Sequence, residues 1–204
     1  MEPRLNARKP AQGRSRERMD RVLAAAEELL LEAGPEQVSI PDVAVRSGVP
    51  RASIYQFFPN KYALFLAIGD GHLAQVGGLI AQVGATLAGQ PLPELIRAAT
   101  RAVSDYYNAH PVASMLILGG PMSRTAYLSQ EVTIQDIGGQ VRGLLEIHQP
   151  DLVFPSEPDA ITLAVEIAFA CMRYSYFAHG SITEAMCEQA AVAAQAYLLS
   201  VGTL

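Results

Sequence analysis

The chain has 204 residues, half of them hydrophobic, with two cysteines and a formal net charge of −5. That length and apolar content supply a core for one medium domain or a small domain joined to a larger one, and the thiol count argues against a disulfide scaffold. The acidic balance excludes a protein that meets polyanions over its whole surface.

The charge is unevenly placed. Residues 1–21 carry seven basic against three acidic residues, a net of +4, whereas residues 66–204 carry five arginines against twelve carboxylates. Only the N-terminal part is therefore expected to meet an anion. The basic, polar N-terminus has no apolar run behind it, so no signal peptide is expected. The apolar stretch Leu64–Gly89 contains Asp70, His72, Gln75 and Gln82 and is interrupted by glycines. It reads as a buried or amphipathic helix rather than a membrane span, and the expected location is cytoplasmic.

In chain order, residues 1–13 contain Pro3, Pro10 and Gly13 without apolar periodicity and read as a flexible basic arm. A helix is predicted from about Arg16 to Ala33, stopped by Gly34-Pro35. Ser39-Ile40-Pro41-Asp42 has the form of a capping box and opens a short helix that ends by Ser47-Gly48. A second short helix is predicted over about Arg51–Phe57, and Asn60 is the expected cap of a longer helix from Lys61. Further helices are predicted at about Pro93–Ala109, Pro111–Gly119 and Arg124–Ile147. Ser156-Glu157-Pro158-Asp159 and Ser181-Ile182-Thr183-Glu184 are cap signatures for two more, running to about Ala178 and Ser200. No alternation of period two is sustained, so the expected fold class is all-α with about nine helices.

Two short helices joined by a tight turn at a glycine form a helix-turn-helix unit. Gly48 permits the turn. Val43, Ala44, Val49 and Ile54 are expected to seal the core between the helices. Arg51, Ala52, Ser53, Tyr55 and Gln56 then point outward from the start of the second helix, where a recognition helix meets base edges. Arginine suits guanine O6/N7, glutamine suits adenine N6/N7, and serine serves bases or phosphate. Lys61, at the next helix start, is placed for a phosphate.

"VLAAAEELLLEAG" followed by "VSIPDVAVRSGVPRASIYQFFPNKYALF" resembles the DNA-binding region of the tetracycline-repressor (TetR) family of bacterial regulators over roughly Arg18–Leu66. The resemblance implies a three-helix DNA-binding head (14–66) on a larger helical body for effector binding and dimerisation (67–204). It also implies DNA contact at Ser39, Arg51, Ala52, Ser53, Tyr55, Gln56 and Lys61. Two positions depart from the family pattern: Pro50 replaces a usual Ser or Thr, and Phe57 a frequent Tyr or His, so two polar phosphate partners are missing. Phe58 reads as core.

For the body, the last two predicted helices carry small and apolar faces: Ile161, Ala164, Val165, Ala168, Phe169, Met172 and Tyr176 on one, Ala190, Ala193, Ala194, Tyr197 and Leu198 on the other. The resemblance implies that these helices pair with a second copy, and ordinary core must account for part of each face. A dimer is also expected because two-fold proteins read palindromes with half-sites about one turn (~34–36 Å) or a multiple apart. Candidate effector-pocket residues are Tyr106, Tyr107, His110, Met115, Leu118, Met122, Tyr127, Phe169, Met172, Arg173 and Tyr176. Arg173 needs a partner in its apolar run, with Asp105, Glu166, Asp159 or a ligand anion as the choices.

The expected function is a ligand-responsive DNA-binding transcriptional regulator, a repressor by family expectation, acting as a homodimer on a palindromic operator and released by a small-molecule effector. A helical protein–protein adaptor using the basic arm is the alternative. No enzyme is expected: there is no Gly-rich phosphate loop, no zinc-spaced Cys/His cluster and no nucleophile elbow, and the four histidines are scattered. No cofactor or metal is expected. Cys171 and Cys187 read as buried thiols, with a redox-sensing pair as the other reading.

Overall fold

The computed structural model describes residues 11–120, 124–148 and 150–203. Among these the backbone forms nine α-helices and one π-helical stretch, and no strand beyond two isolated bridges. The all-α expectation is met. The chain divides into two compact units, Met1–Ile68 and Gly69–Leu204.

The first unit holds α1 (Ala11–Gln37), α2 (Ile40–Ser47), α3 (Arg51–Tyr55) and the first two turns of α4 (Lys61–Thr86). Helix α1 begins earlier than its apolar period suggests, because straight-chain Gln, Arg and Glu residues sustain a helix without a buried face. Residues 11–13 of the predicted arm are therefore helical, and residues 1–10 lie outside the described residues. Gly34 leaves helical geometry at φ 76°, ψ 165°, after which Pro35–Gln37 add one more turn. The core of this unit gathers Val22, Ala26 and Leu30 from α1, Ile40 and Val43 from α2, and Val49, Ile54, Phe58 and Leu64 beyond them.

The turn between α2 and α3 follows from its residues. Gly48 ends α2 with φ 67° and ψ 19°, in the left-handed region that side chains disfavour. Ser47 is buried, and its Oγ accepts the Val49 amide at 3.2 Å, which satisfies a backbone donor inside the turn. Arg46 then ties α2 to α1, donating to Glu28 at 3.1 Å and to both carboxylate oxygens of Glu32 at 2.8 and 2.7 Å. The Arg46 hydrogen bond holds the Glu32 carboxyl below its ordinary range.

The second unit contains the rest of α4, then α5 (Leu92–Ala109), α6 (Pro111–Ala113), the π-helical stretch Ser114–Leu118, α7 (Arg124–His148), α8 (Ala160–His179) and α9 (Glu184–Val201). Helix α4 runs on through Gly69-Asp70-Gly71, because Leu73 and Val76 bury themselves in the core. Helices α4 and α8 have the length and apolar content to cross a membrane, and in this fold each gives a face to the packed core.

Two core clusters fill this unit, one around Tyr107, Leu118, Phe169 and Met172, the other around Leu95, Leu145, Phe154, Ile161 and Leu198. At the α7–α8 crossing a Cβ on Gly138 would lie 2.1 Å from Thr162 Oγ1 and 3.1 Å from Thr162 Cα, so only glycine allows this approach. Helix α8 is capped by Asp159 rather than Ser156, and α9 by Thr183 rather than Ser181. Asp159 accepts the Ile161 amide at 3.0 Å and also pairs with Arg142 at 2.6 Å. Arg142 reaches the Pro155 carbonyl at 3.0 Å as well, fastening the loop ahead of α8 to α7. At the other end, the Asn108 side chain closes on both backbone groups of Ile182, at 2.8 and 2.9 Å, and binds α5 to the α8–α9 turn.

Replacing Gly48 with alanine tests the turn cleanly, because a Cβ there meets no atom within 4 Å and the cost is conformational alone. Gly48→Ala is expected to destabilise the protein by about 1–2 kcal/mol in urea denaturation, with secondary structure unchanged. An unchanged midpoint would mean that the left-handed turn is not a constraint.

Candidate DNA interface and interior cavity

Helix α3 has five residues and one buried side chain, Ile54, at 1 % exposure. The other side chains are left outside: Arg51, Ala52, Tyr55 and Gln56 are exposed and Ser53 is half-buried. Tyr55 is 48 % exposed and Phe57 43 %, whereas Phe58 is core. Helix α3 stops at Tyr55, not Phe57. Gln56 and Phe57 continue as a turn in which the Phe57 and Phe58 amides both bond the Ile54 carbonyl, at 3.0 and 2.9 Å. Pro50 stands at the N-cap of α3 and offers no side-chain cap.

Two sequence-predicted contact residues carry structural duties in the head. The Ser39 hydroxyl caps α2, accepting the Asp42 amide at 3.4 Å and donating to the Asp42 carboxylate. Lys61 Nζ donates to the Pro35 and Glu36 carbonyls, at 2.9 Å each, which closes the end of α1 onto the start of α4. One of its three N–H groups is left for another acceptor. Asn60 caps α4 as expected, its Oδ1 accepting the Ala63 amide at 3.0 Å.

The second unit holds a half-open cavity of about 150 Å³ between α4, α5, α7, α8 and α9. Of the sequence-predicted pocket residues, Tyr107, Phe169 and Met172 are on its wall. Tyr106, His110, Met115, Leu118, Arg173 and Tyr176 are not, Met122 lies outside the described residues, and the Tyr127 side chain is likewise outside them. Aliphatic residues supply most of the wall, including a stripe down α5 of Leu92, Leu95, Ile96, Ala99 and Val103. That stripe has plain helical spacing in the sequence. Nothing in that spacing distinguishes a cavity wall from an ordinary packed face, whereas aromatic and sulfur side chains stand out chemically.

Tyr106 and His110 form a separate group. Their rings stack at 4.0 Å, and His72 Nδ1 lies 2.7 Å from the Tyr106 hydroxyl. The fold thus assembles two histidines that are far apart in sequence. Burial, and secondarily the nearby His110, pushes the His72 imidazole below its ordinary range. The Arg173 guanidinium lies over the Phe169 ring at 4.8 Å, and Asp159, one of its candidate partners, is committed to Arg142. Among the described residues no group of three His, Cys, Asp or Glu side chains converges on a metal-sized site. Both thiols are free.

The apolar faces predicted for pairing with a second copy are largely internal. Ile161, Ala164, Phe169 and Met172 of α8 and Ala190, Ala194 and Leu198 of α9 are buried within this chain. Other positions face outward: Leu163, Tyr174 and Phe177 of α8, and Val192 and Leu199 of α9, with Phe177 68 % exposed. Ordinary core thus accounts for part of each face, as expected, whereas Val165, Ala168, Tyr176, Ala193 and Tyr197 are only half-buried; both edges of each helix are apolar, and periodicity alone does not say which one meets α5 and α7.

Residues 22–68 match the family model described as bacterial regulatory proteins, tetR family. Among solved structures, a TetR-family transcriptional regulator from Streptomyces coelicolor superposes with a TM-score of 0.69, at 23 % identity over 92 % of this chain and 98 % of that one. A TetR-family regulator from Mesorhizobium loti gives 0.63, at 16 % identity over 93 % and 99 %. RolR in complex with resorcinol gives 0.66, at 17 % identity over 93 % and 90 %. No match is found among curated proteins. The resemblance to the TetR family thus rests on residues 22–68 in sequence and on an all-helical, TetR-like fold over the chain as a whole.

Lys61→Met keeps the alkyl stem and removes both hydrogen bonds to the end of α1. A loss of about 1–3 kcal/mol is expected in urea denaturation. An unchanged midpoint would show that water serves the Pro35 and Glu36 carbonyls equally well.

Proposed function

We propose that this chain is a ligand-responsive, DNA-binding transcriptional repressor that acts as a homodimer on a palindromic operator and releases it when a small molecule enters the second unit. The observation that carries the reading is the exposed outer face of α3, set on a helix-turn-helix whose sequence matches the tetR-family model. Arg51 and Gln56 are the base-reading side chains, with Ala52, Ser53 and Tyr55 completing the contact surface. Ser39 and the free N–H of Lys61 serve phosphates and set register. Two-fold pairing uses the outward apolar positions of α8 and α9, Leu163, Tyr174, Phe177, Val192 and Leu199. The mechanism is a two-state one. A ligand that prefers one body conformation shifts the dimer toward a spacing of α3 helices that no longer fits successive grooves. Helix α4, whose residues fall in both units, is the covalent link for that change. The expected location is the cytoplasm, where operator DNA is.

Gel shift with the DNA upstream of the chain's own gene, across a salt series, tests the reading. Saturable, competitor-resistant binding is expected. Loss at modest salt without sequence preference would favour the adaptor alternative. Arg51→Ala is expected to weaken operator binding by roughly 5–100-fold while leaving nonspecific binding nearly unchanged. Equal loss on all DNA would reassign Arg51 to phosphate positioning. Phe177→Glu places a charge on the outward face of α8. In light scattering it is expected to convert a species of twice the chain mass into one of single mass, with operator affinity falling in parallel. A wild-type protein already at single mass would contradict the dimer.

A further inference from the structure

We propose that the cavity of the second unit takes an uncharged, largely hydrocarbon ligand about the size of a single substituted aromatic ring, one per chain, and rejects ligands that carry a full charge. The inference rests on the effector-binding reading above and names the ligand class of that site.

Size comes from the volume. The cavity measures about 150 Å³. A protein cavity of about 150 Å³ lined by Leu, Ile and Phe stays dry and accepts benzene. The wall here has the same chemistry. Leu73, Leu95, Ile137, Phe169 and Met172 come from four different helices, and the surface facing the space is almost wholly hydrocarbon. Thr100 and Tyr107 are the hydroxyl-bearing residues of the described wall, and no charged side chain belongs to it. A carboxylate or ammonium brought inside would lose its hydration with nothing to replace it. Tyr107 does not supply a countercharge. The side chain is 1 % exposed, and burial pushes its phenol well above the ordinary range, so it stays neutral.

A rival site for an anion lies nearby. Arg173 Nε is buried without a hydrogen-bond partner among the described residues, although its guanidinium faces the Phe169 ring and stands off the cavity wall. The rival predicts a preference for carboxylates, which the same experiment reads.

The test is calorimetric titration of the full-length protein with toluene, benzoate and benzylamine at neutral pH, three probes of one ring size and different charge. Toluene is expected to bind at one per chain and at least tenfold tighter than either charged probe. Filling the space with Ala99→Leu is expected to weaken toluene at least tenfold, and the milder Ala168→Val serves if the larger side chain prevents folding. Benzoate binding as tightly as toluene overturns the inference in favour of Arg173. Absent toluene binding, or toluene binding indifferent to both filling variants, also overturns it. DNA affinity measured in parallel separates this inference from the regulator reading. Toluene binding without DNA release upholds the ligand class and counts against effector control, whereas DNA release by benzoate alone does the reverse.

Discussion

A helix of five residues cannot hold itself together in water, because its nucleation cost exceeds what so few hydrogen bonds return. Helix α3 therefore depends on Ile54, its one buried side chain, as its anchor in the core of the first unit. Everything else about the head follows from that anchor. With a single position turned inward, the remaining side chains have nowhere to go but out, and the helix becomes a display of Arg51, Tyr55 and Gln56. The left-handed Gly48 fixes the direction of that display, and the capping of α2 by Ser39 fixes where the turn begins. Arg46 and Lys61 add bonds at the periphery that tie α2 and α4 to α1.

The second unit is built on a different balance. Its helices approach closely where Gly138 meets Thr162 and are fastened at both ends by Arg142 and Asn108. Between those fixed points the aliphatic stripes of α5 and α7 do not fill the space completely.

The head was legible in the sequence because its signals are local. Ser39 and Asn60 cap where the residue types say they should, Gly48 sits where a turn needs it, and Val43, Val49 and Ile54 are apolar at the positions that must turn inward for the two short helices to close. The boundaries of α1 were less legible. Its start rests on helix propensity without an apolar period, and Gly34 distorts the chain without ending the helix for good. The body was legible only as a set of helices. Asp159 caps α8 and is held in place by Arg142 of α7, so the cap sits three residues beyond Ser156, and that is a tertiary choice invisible along the chain. The cavity is legible only in part, at Tyr107, Phe169 and Met172, for a related reason. Tyr106, His110 and Arg173 look like binding groups in a list of residues, yet packing turns them to other duties, and plain aliphatic side chains line the space instead.

The most direct measurement of the central claim is a hydroxyl-radical footprint of the full-length protein on the DNA upstream of its gene. Two protected patches of matching pattern, on one face of the duplex and separated by about one helical turn (~10 bp) or a multiple, are the predicted result. A single patch, or protection spread evenly without regard to sequence, would contradict an outward α3 presented twice by a symmetric pair.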